Sequence, residues 1–181
     1  MGLFSFKKSQ SQESPATEEV IDKNDAAAET EHLYEVMVQN LLIESKTSMG
    51  FMGKSSTKAA AQMLFPKELP RYAILTNVSI GDPLSAEKFD ARSFKEKTNG
   101  VLILTDERLL FAGALGKAPV SKALNLAEIT VVDDSDVTSV GRSVLRVETA
   151  DTILAIDGNK QTLFAFCYQL ETAIKKAKRR G

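Results

Sequence analysis

Gly53, Lys54 and Ser55 are the residues whose types and spacing come nearest to a recognisable chemistry. Such a trio closes a phosphate loop, where backbone N–H groups and the lysine hold a nucleotide's phosphates and the hydroxyl holds its magnesium. The loop's first glycine should stand at Ser48, and the preceding LLIESKTS is short and helix-like rather than a buried strand. The apolar LILT ahead of Asp106 and Glu107 imitates the magnesium-binding partner strand, yet an Asp-Glu pair inside a tight hairpin faces solvent. A P-loop-like nucleotide-binding protein is therefore placed behind the binding readings developed below.

The other reactive side chains are isolated. His32, the only histidine, has neither a cysteine nor a second histidine near it, so it makes no zinc cage and no His-activated nucleophile. Cys167, the only cysteine, excludes an intramolecular disulfide and falls on an apolar helical face, where a buried inert thiol is expected. Asp133, Asp134 and Asp136 lack the glycine and the distal glutamate of a calcium loop and read as a solvated hairpin tip. No catalytic, cofactor-binding or metal-binding residue follows from these patterns, and an enzyme is not expected.

Charge is more informative. Eight acids between Glu13 and Glu35 stand against Lys23 alone, a local charge of −7, while Lys175, Lys176, Lys178, Arg179 and Arg180 give the C-terminus +5. Each base near an anionic leaflet contributes about 1 kcal/mol, so these five offer an anionic-surface contact of up to about 5 kcal/mol before screening. The alternative is that they complement the dipole of a terminal helix. The two ends are also mutually complementary, which predicts that the acidic arm folds over the basic tail and masks it. Leu3, Phe4 and Phe6 beside Lys7 and Lys8 form a weak interfacial anchor, but Phe6 breaks the myristoylation pattern.

These residues need elements to position them. Ser, Gln, Glu, Pro and Ala dominate Ser9 to Glu29, too little apolar surface to offset ordering entropy, so residues 1–29 are expected to be a disordered acidic arm. Leu33, Val36, Met37, Leu41 and Leu42 then recur at helical spacing over Thr30 to Ser45. A loop over Lys46 to Thr57 and a short helix over Lys58 to Leu64 complete a helical extension, 30–68, serving as a lid or partner-facing arm. Beyond Pro70 the period shifts toward two. Strands are expected at Tyr72 to Ile80, in VLILT and RLLFA around Asp106 and Glu107, and at Lys122 to Leu126, Ile129 to Asp133, Ser143 to Glu148 and Thr152 to Ile156. Both hairpin strands are apolar almost throughout, the mark of a sheet covered on both faces or curled into a barrel. One amphipathic helix, Thr162 to Lys178, closes the chain with Leu163, Phe166, Cys167, Leu170, Ala173, Ile174 and Ala177 on one face.

The run GVLILTDERLLFAG, the later NLAEITVV, the RVETAD…LAI pair and the terminal FAFCYQLETAIKK helix resemble the bacterial pleckstrin-homology-like domain, a GRAM-related family. The resemblance covers Leu69 to Lys178. It implies an α+β, mostly β fold, a bent seven-stranded PH-like sheet or barrel capped by the C-terminal amphipathic helix over 69–181. It also implies a non-enzymatic role at membrane surfaces, on peptides or in self-association. Relatives of the eukaryotic type grip phosphoinositides with bases in the first inter-strand loop. Here Lys88, Arg92, Lys95 and Lys97 are offset by Asp82, Glu87, Asp90 and Glu96, a departure that argues against that site.

The expected protein is a binding or assembly module with a protein partner or homo-oligomer. The alternative is a peripheral membrane adaptor meeting anionic lipid through its basic termini. Nucleic acid ranks below both, and no cofactor or small-molecule substrate is called for. The chain has no run of about 18 apolar residues for a membrane span and lacks the roughly 7 to 15 residue apolar stretch of a secretory signal. A cytoplasmic location, peripheral at the membrane in the alternative, is expected.

Overall fold

The computed structural model describes residues 16–47, 51–82, 96–115, 118–135, 137 and 143–180, with side chains except those of 16–26, 51–53 and 115. Two helices, α1 (Ala16–Glu44) and α2 (Phe51–Ala61), precede seven strands and a closing helix. The strands are β1 (Tyr72–Gly81), β2 (Thr98–Leu104), β3 (Arg108–Leu115), β4 (Ala118–Asn125), β5 (Val131–Asp133), β6 (Ser143–Glu148) and β7 (Ile153–Gly158), followed by α3 (Lys160–Arg180). A single 3-10 turn, Leu126–Glu128, links β4 to β5.

All ladders are antiparallel, in the order β4-β3-β2-β1-β7-β6-β5. Strand β1 changes partner along its length: residues 72–78 pair with β2, and 77–81 pair with β7. The two registers overlap only at Asn77 and Val78, so β1 is the spine about which the sheet bends. Strands β4 and β5 are left as edges. Pro119 at the start of β4 and Lys122 at its middle make that edge a poor template for further pairing.

Alternation along the central strands sends side chains into two cores. Ile74, Leu102, Leu104, Leu109 and Phe111 face α3, where Leu163, Phe166, Cys167, Leu170 and Ile174 close over them. Their neighbours Ala73, Val101, Ile103, Leu110 and Ala112 face the other way, against Tyr34, Val38 and Leu42 of α1 and Ala60, Ala61 and Leu64. This is why Val101 to Leu104 and Leu109 to Ala112 are apolar at every position: the sheet is covered on both sides. Gly100 and Gly113 are cross-strand partners. A Cβ on Gly100 would collide with the Ala112 carbonyl and come within 2.7 Å of the Gly113 Cα and 2.8 Å of the Phe111 ring. Glycine here lets the Phe111 ring lie flat against the hairpin.

The N-terminal helices depart from expectation in two ways. Residues 16–29, expected as disordered arm, belong to α1, because the Ala and Glu that cannot build a core are strong helix formers and extend a helix begun elsewhere. Much of the loop expected over 46–57 is α2, which ends at Ala61 rather than Leu64. Its glycine, serines and threonine have poor helix propensity, but Ser56 and Thr57 are buried and their small side chains let the helix approach the sheet closely. Of the two roles expected for the extension, lid or partner-facing arm, it takes the first, packing on the sheet as its second cover. The end of α1 near Ser45 matches expectation, through a Schellman turn: Lys46 takes a left-handed φ of 56°, its N–H donates to the Ile43 carbonyl and the Thr47 N–H to that of Leu42.

Helix α3 begins two residues before the expected Thr162 and ends two after Lys178. Asn159 caps it, its side-chain oxygen accepting from the Thr162 N–H at 2.8 Å. Among the described residues no helix is long and apolar enough to cross a membrane.

Candidate functional site

Three pieces meet at one end of the sheet: the α2–β1 connection, the β2–β3 turn and the last turn of α3. The turn is built by Thr105. Its hydroxyl accepts from the Arg108 N–H at 2.9 Å and the Glu107 N–H at 3.2 Å, and donates to Glu68 Oε1 at 2.8 Å. Glu68 in turn takes Arg108 in a two-pronged ion pair, Nε to Oε1 at 2.9 Å and Nη2 to Oε2. Arg108 also donates to the Met63 carbonyl at 2.8 Å and lies 3.7 Å over the Phe65 ring. The Tyr34 hydroxyl completes the clamp, donating to the Phe65 carbonyl and accepting from the Lys67 N–H. Burial works against the Glu68 charge, but the hydrogen bonds from Arg108, the Phe65 amide and Thr105 outweigh it and hold the carboxyl below the usual glutamate range. The clamp fixes the helical cover to the hairpin tip.

Around this clamp the surface is grooved. One groove of about 420 Å³ runs past Pro66, Leu69, Arg71 and Arg180, and a neighbouring one of about 450 Å³ past Thr105, Gln169, Thr172 and Lys176. Asp106 lines both. Arg71 donates to it at 2.6 and 3.1 Å and, with lesser help from Arg180 and Lys176, holds its carboxyl below the usual aspartate range against a small opposing cost of burial. The grooves thus present four cations, Lys67, Arg71, Lys176 and Arg180, among three acids, of which Glu68 is committed to Arg108 and Asp106 to Arg71. An anionic ligand would have to compete with Asp106 for the cations.

The five C-terminal bases do not form one patch. Lys176 and Arg180 line the grooves, whereas Lys178 reaches back to donate to the Ile129 carbonyl at 2.8 Å. Lys175 turns outward beside Glu171 at 3.9 Å, and Arg179 is exposed. A helix of 3.6 residues per turn spreads consecutive bases around its axis, which a charge count does not reveal.

The remaining candidates are placed as follows. Gly53, Lys54 and Ser55 lie inside α2, a helix preceded by another helix, which is not the strand-loop-helix setting of a phosphate loop. Cys167 is buried under α3, and burial, aided by Asp134 and Glu171, pushes its thiol up to about 11, far from a reactive thiolate. His32 is exposed on α1. Asp133 accepts from the Ser135 N–H at 2.9 Å, a local turn contact, while Asp136 lies outside the described residues. Of the first-loop bases, Lys97 is tied to Asp157 at 2.5 Å; Lys88, Arg92 and Lys95 lie outside the described residues.

Two sets of residues that the structure singles out were not legible as such in the sequence. The Glu68–Arg108 pair spans 40 positions, so no local pattern marks it. Phe164 and Tyr168 are exposed on the outer face of α3, and Leu33, Val36 and Ile43 on the outer face of α1. A signal existed for the aromatics: they fall outside the seven-residue apolar face of the helix.

No protein-family model matches the chain, and no curated protein matches it. Among solved structures it is similar to the Vps36 N-terminal PH domain, at 16% identity and a TM-score of 0.45, over 62% of this chain and 83% of that one. It is also similar to the C-terminal domain of an unknown protein from Leishmania infantum, at 16% identity and a TM-score of 0.41, over 59% and 85% of the two chains. The linker-DH/PH domains of p115-RhoGEF match at 12% identity and a TM-score of 0.43, over 80% of this chain and 40% of that one. The seven-stranded antiparallel sheet, closed by a C-terminal helix and backed by an N-terminal one, is an α+β, mostly β fold.

Proposed function

We propose that the protein is a non-catalytic binding or assembly module of the GRAM-related, pleckstrin-homology-like kind, acting through protein–protein contact or self-association. In this reading residues 69–181 form the PH-like domain and 30–68 its fixed helical cover. The observation that carries it is the set of apolar side chains left exposed on the two outer helix faces once both cores are filled. Leu33, Val36 and Ile43 share one exposed face of α1, and Phe164 and Tyr168 one exposed face of α3. Clustered exposed apolar residues bounded by charge mark interaction surfaces. Lysine-directed cross-linking of the full chain in its own cells tests this. Links to other protein chains are expected at Lys46, beside Ile43, and at Lys160 and Lys175, beside the aromatics; links confined to Lys97 and Lys122 would overturn it.

A second reading rests on Arg71, Lys176 and Arg180 gathering around the two grooves. It makes the protein a peripheral adaptor on anionic lipid, with Lys175 and Arg179 adding outward charge and Lys178 held back by Ile129. Salt-sensitive pelleting with anionic vesicles, lost in Lys176→Glu, would favour lipid over a protein partner.

A further inference from the structure

The outer faces of α1 and α3 carry the same two kinds of surface in opposite order. Toward the C-terminus of α1, Glu29 is followed by Leu33, Val36 and Ile43, all exposed. Steps of four, three and seven keep them on one face, across the helix from buried Tyr34, Val38 and Leu42. Along α3 the aromatics Phe164 and Tyr168 come first, and Lys175 and Arg179 follow on the same exposed face. At about 1.5 Å per residue, Glu29 to Ile43 spans about 21 Å and Phe164 to Arg179 about 22 Å.

Laid antiparallel, the two faces match at their ends, apolar against aromatic at one and acid against base at the other. Ile43 meets Phe164, Tyr168 falls between Ile43 and Val36, Leu33 falls beside the Lys175 stem, and Glu29 meets Arg179. Glu44 then falls beside Lys160, whose ammonium lies 5.5 Å from the Phe164 ring. Glu171, the one acid on the aromatic-basic face, is already beside Lys175. The faces cannot meet within one molecule, because the sheet separates them, with α1 on one side and α3 on the other.

We propose that the partner is a second copy of this chain, the outer face of α1 docking antiparallel on the outer face of α3 of the next molecule. This deepens the interaction-module reading and rests on it. Charge opposes the simpler α1–α1 contact, since residues 16–35 carry seven acids against Lys23. The intramolecular attraction expected between the acidic arm and the basic tail becomes an attraction between molecules. Because the two faces lie on opposite sides of the sheet, each contact is head-to-tail, giving rings or open chains rather than a closed twofold dimer.

Ile43→Glu disables one face and Tyr168→Glu the other, at positions 65% and 69% exposed, so the fold is retained. Unchanged circular dichroism and melting temperature check that. In sedimentation velocity of full-length protein, the wild type should assemble and each variant alone should stay at the mass of one chain. An equimolar mixture of the variants should form one-to-one dimers and nothing larger, since each supplies the face the other lacks. A Tyr168→Glu variant that still self-associates, with no mixed dimer, would overturn the pairing in favour of α1–α1 contact. A wild type monomeric at every concentration would overturn self-pairing altogether, while cross-links to other proteins at Lys46 and Lys175 would leave the interaction-module reading standing.

Discussion

Replacing Arg108 with methionine should lower folding stability by about 3 to 5 kcal/mol, the range for removing one partner of a buried ion pair. The side chains of Arg108 and Glu68 are only 17% and 10% exposed, so solvent screens the pair little, though enough to place the loss near the lower end. The variant strands the Glu68 carboxylate and removes the donor to the Met63 carbonyl and the cation over Phe65. For a chain of this length the loss corresponds to a fall in melting temperature of about 6 to 20 °C. The double variant Glu68→Met with Arg108→Met should be more stable than Arg108→Met alone, because no buried charge is left uncompensated. Urea midpoints of the three proteins decide it; a double variant no more stable than the single would remove the ion pair from the account.

The same pair sets an acid dependence. The Glu68 carboxyl titrates lower in the folded protein than its ordinary value near 4.5. Its contribution is therefore complete above that value and is lost as pH falls through the lower, folded one. Arg108→Met should flatten stability against pH in that window.

Phe166→Ala should cost about 3 to 5 kcal/mol, the usual toll of emptying a large aromatic site in a core. Phe166 is fully buried, and its ring packs 6.1 Å from that of Tyr72, tying α3 to the first strand. Phe164, two residues away, gives the internal comparison. It is 42% exposed, and Phe164→Ala should change stability by no more than about 0.5 kcal/mol. Denaturation midpoints with unchanged slope would separate the face that holds the fold from the face left for a partner. Equal losses in the two variants would contradict that division.

What could be read from the sequence was local. The face of α3 from Leu163 to Ala177 announces itself because its residues lie three and four apart, and Leu163, Phe166, Cys167, Leu170 and Ile174 are indeed buried. The apolar stretches of β2 and β3 called for cover on both sides or a curl into a barrel, and two cores supply the cover. Strand positions followed from turn chemistry. Where partners are distant, pattern failed. The first part of helix α2, Gly53 to Thr57, has poor helix propensity and is fixed by packing on β2 and β3. Helix α1 is apolar on two sides, so its spacing cannot tell buried Val38 from exposed Val36. The five terminal bases counted as one charge but point in several directions, one of them onto the Ile129 carbonyl.

The central claim is that the outer faces of α1 and α3 are covered when the protein works. Hydroxyl-radical labelling compares side-chain accessibility in dilute purified protein with that inside its own cells. The account predicts that Tyr168, Phe164, Leu33 and Ile43 lose reactivity in the cell while exposed Phe65 and Ile80 keep theirs. Equal reactivity of Tyr168 and Ile43 in both settings would contradict it.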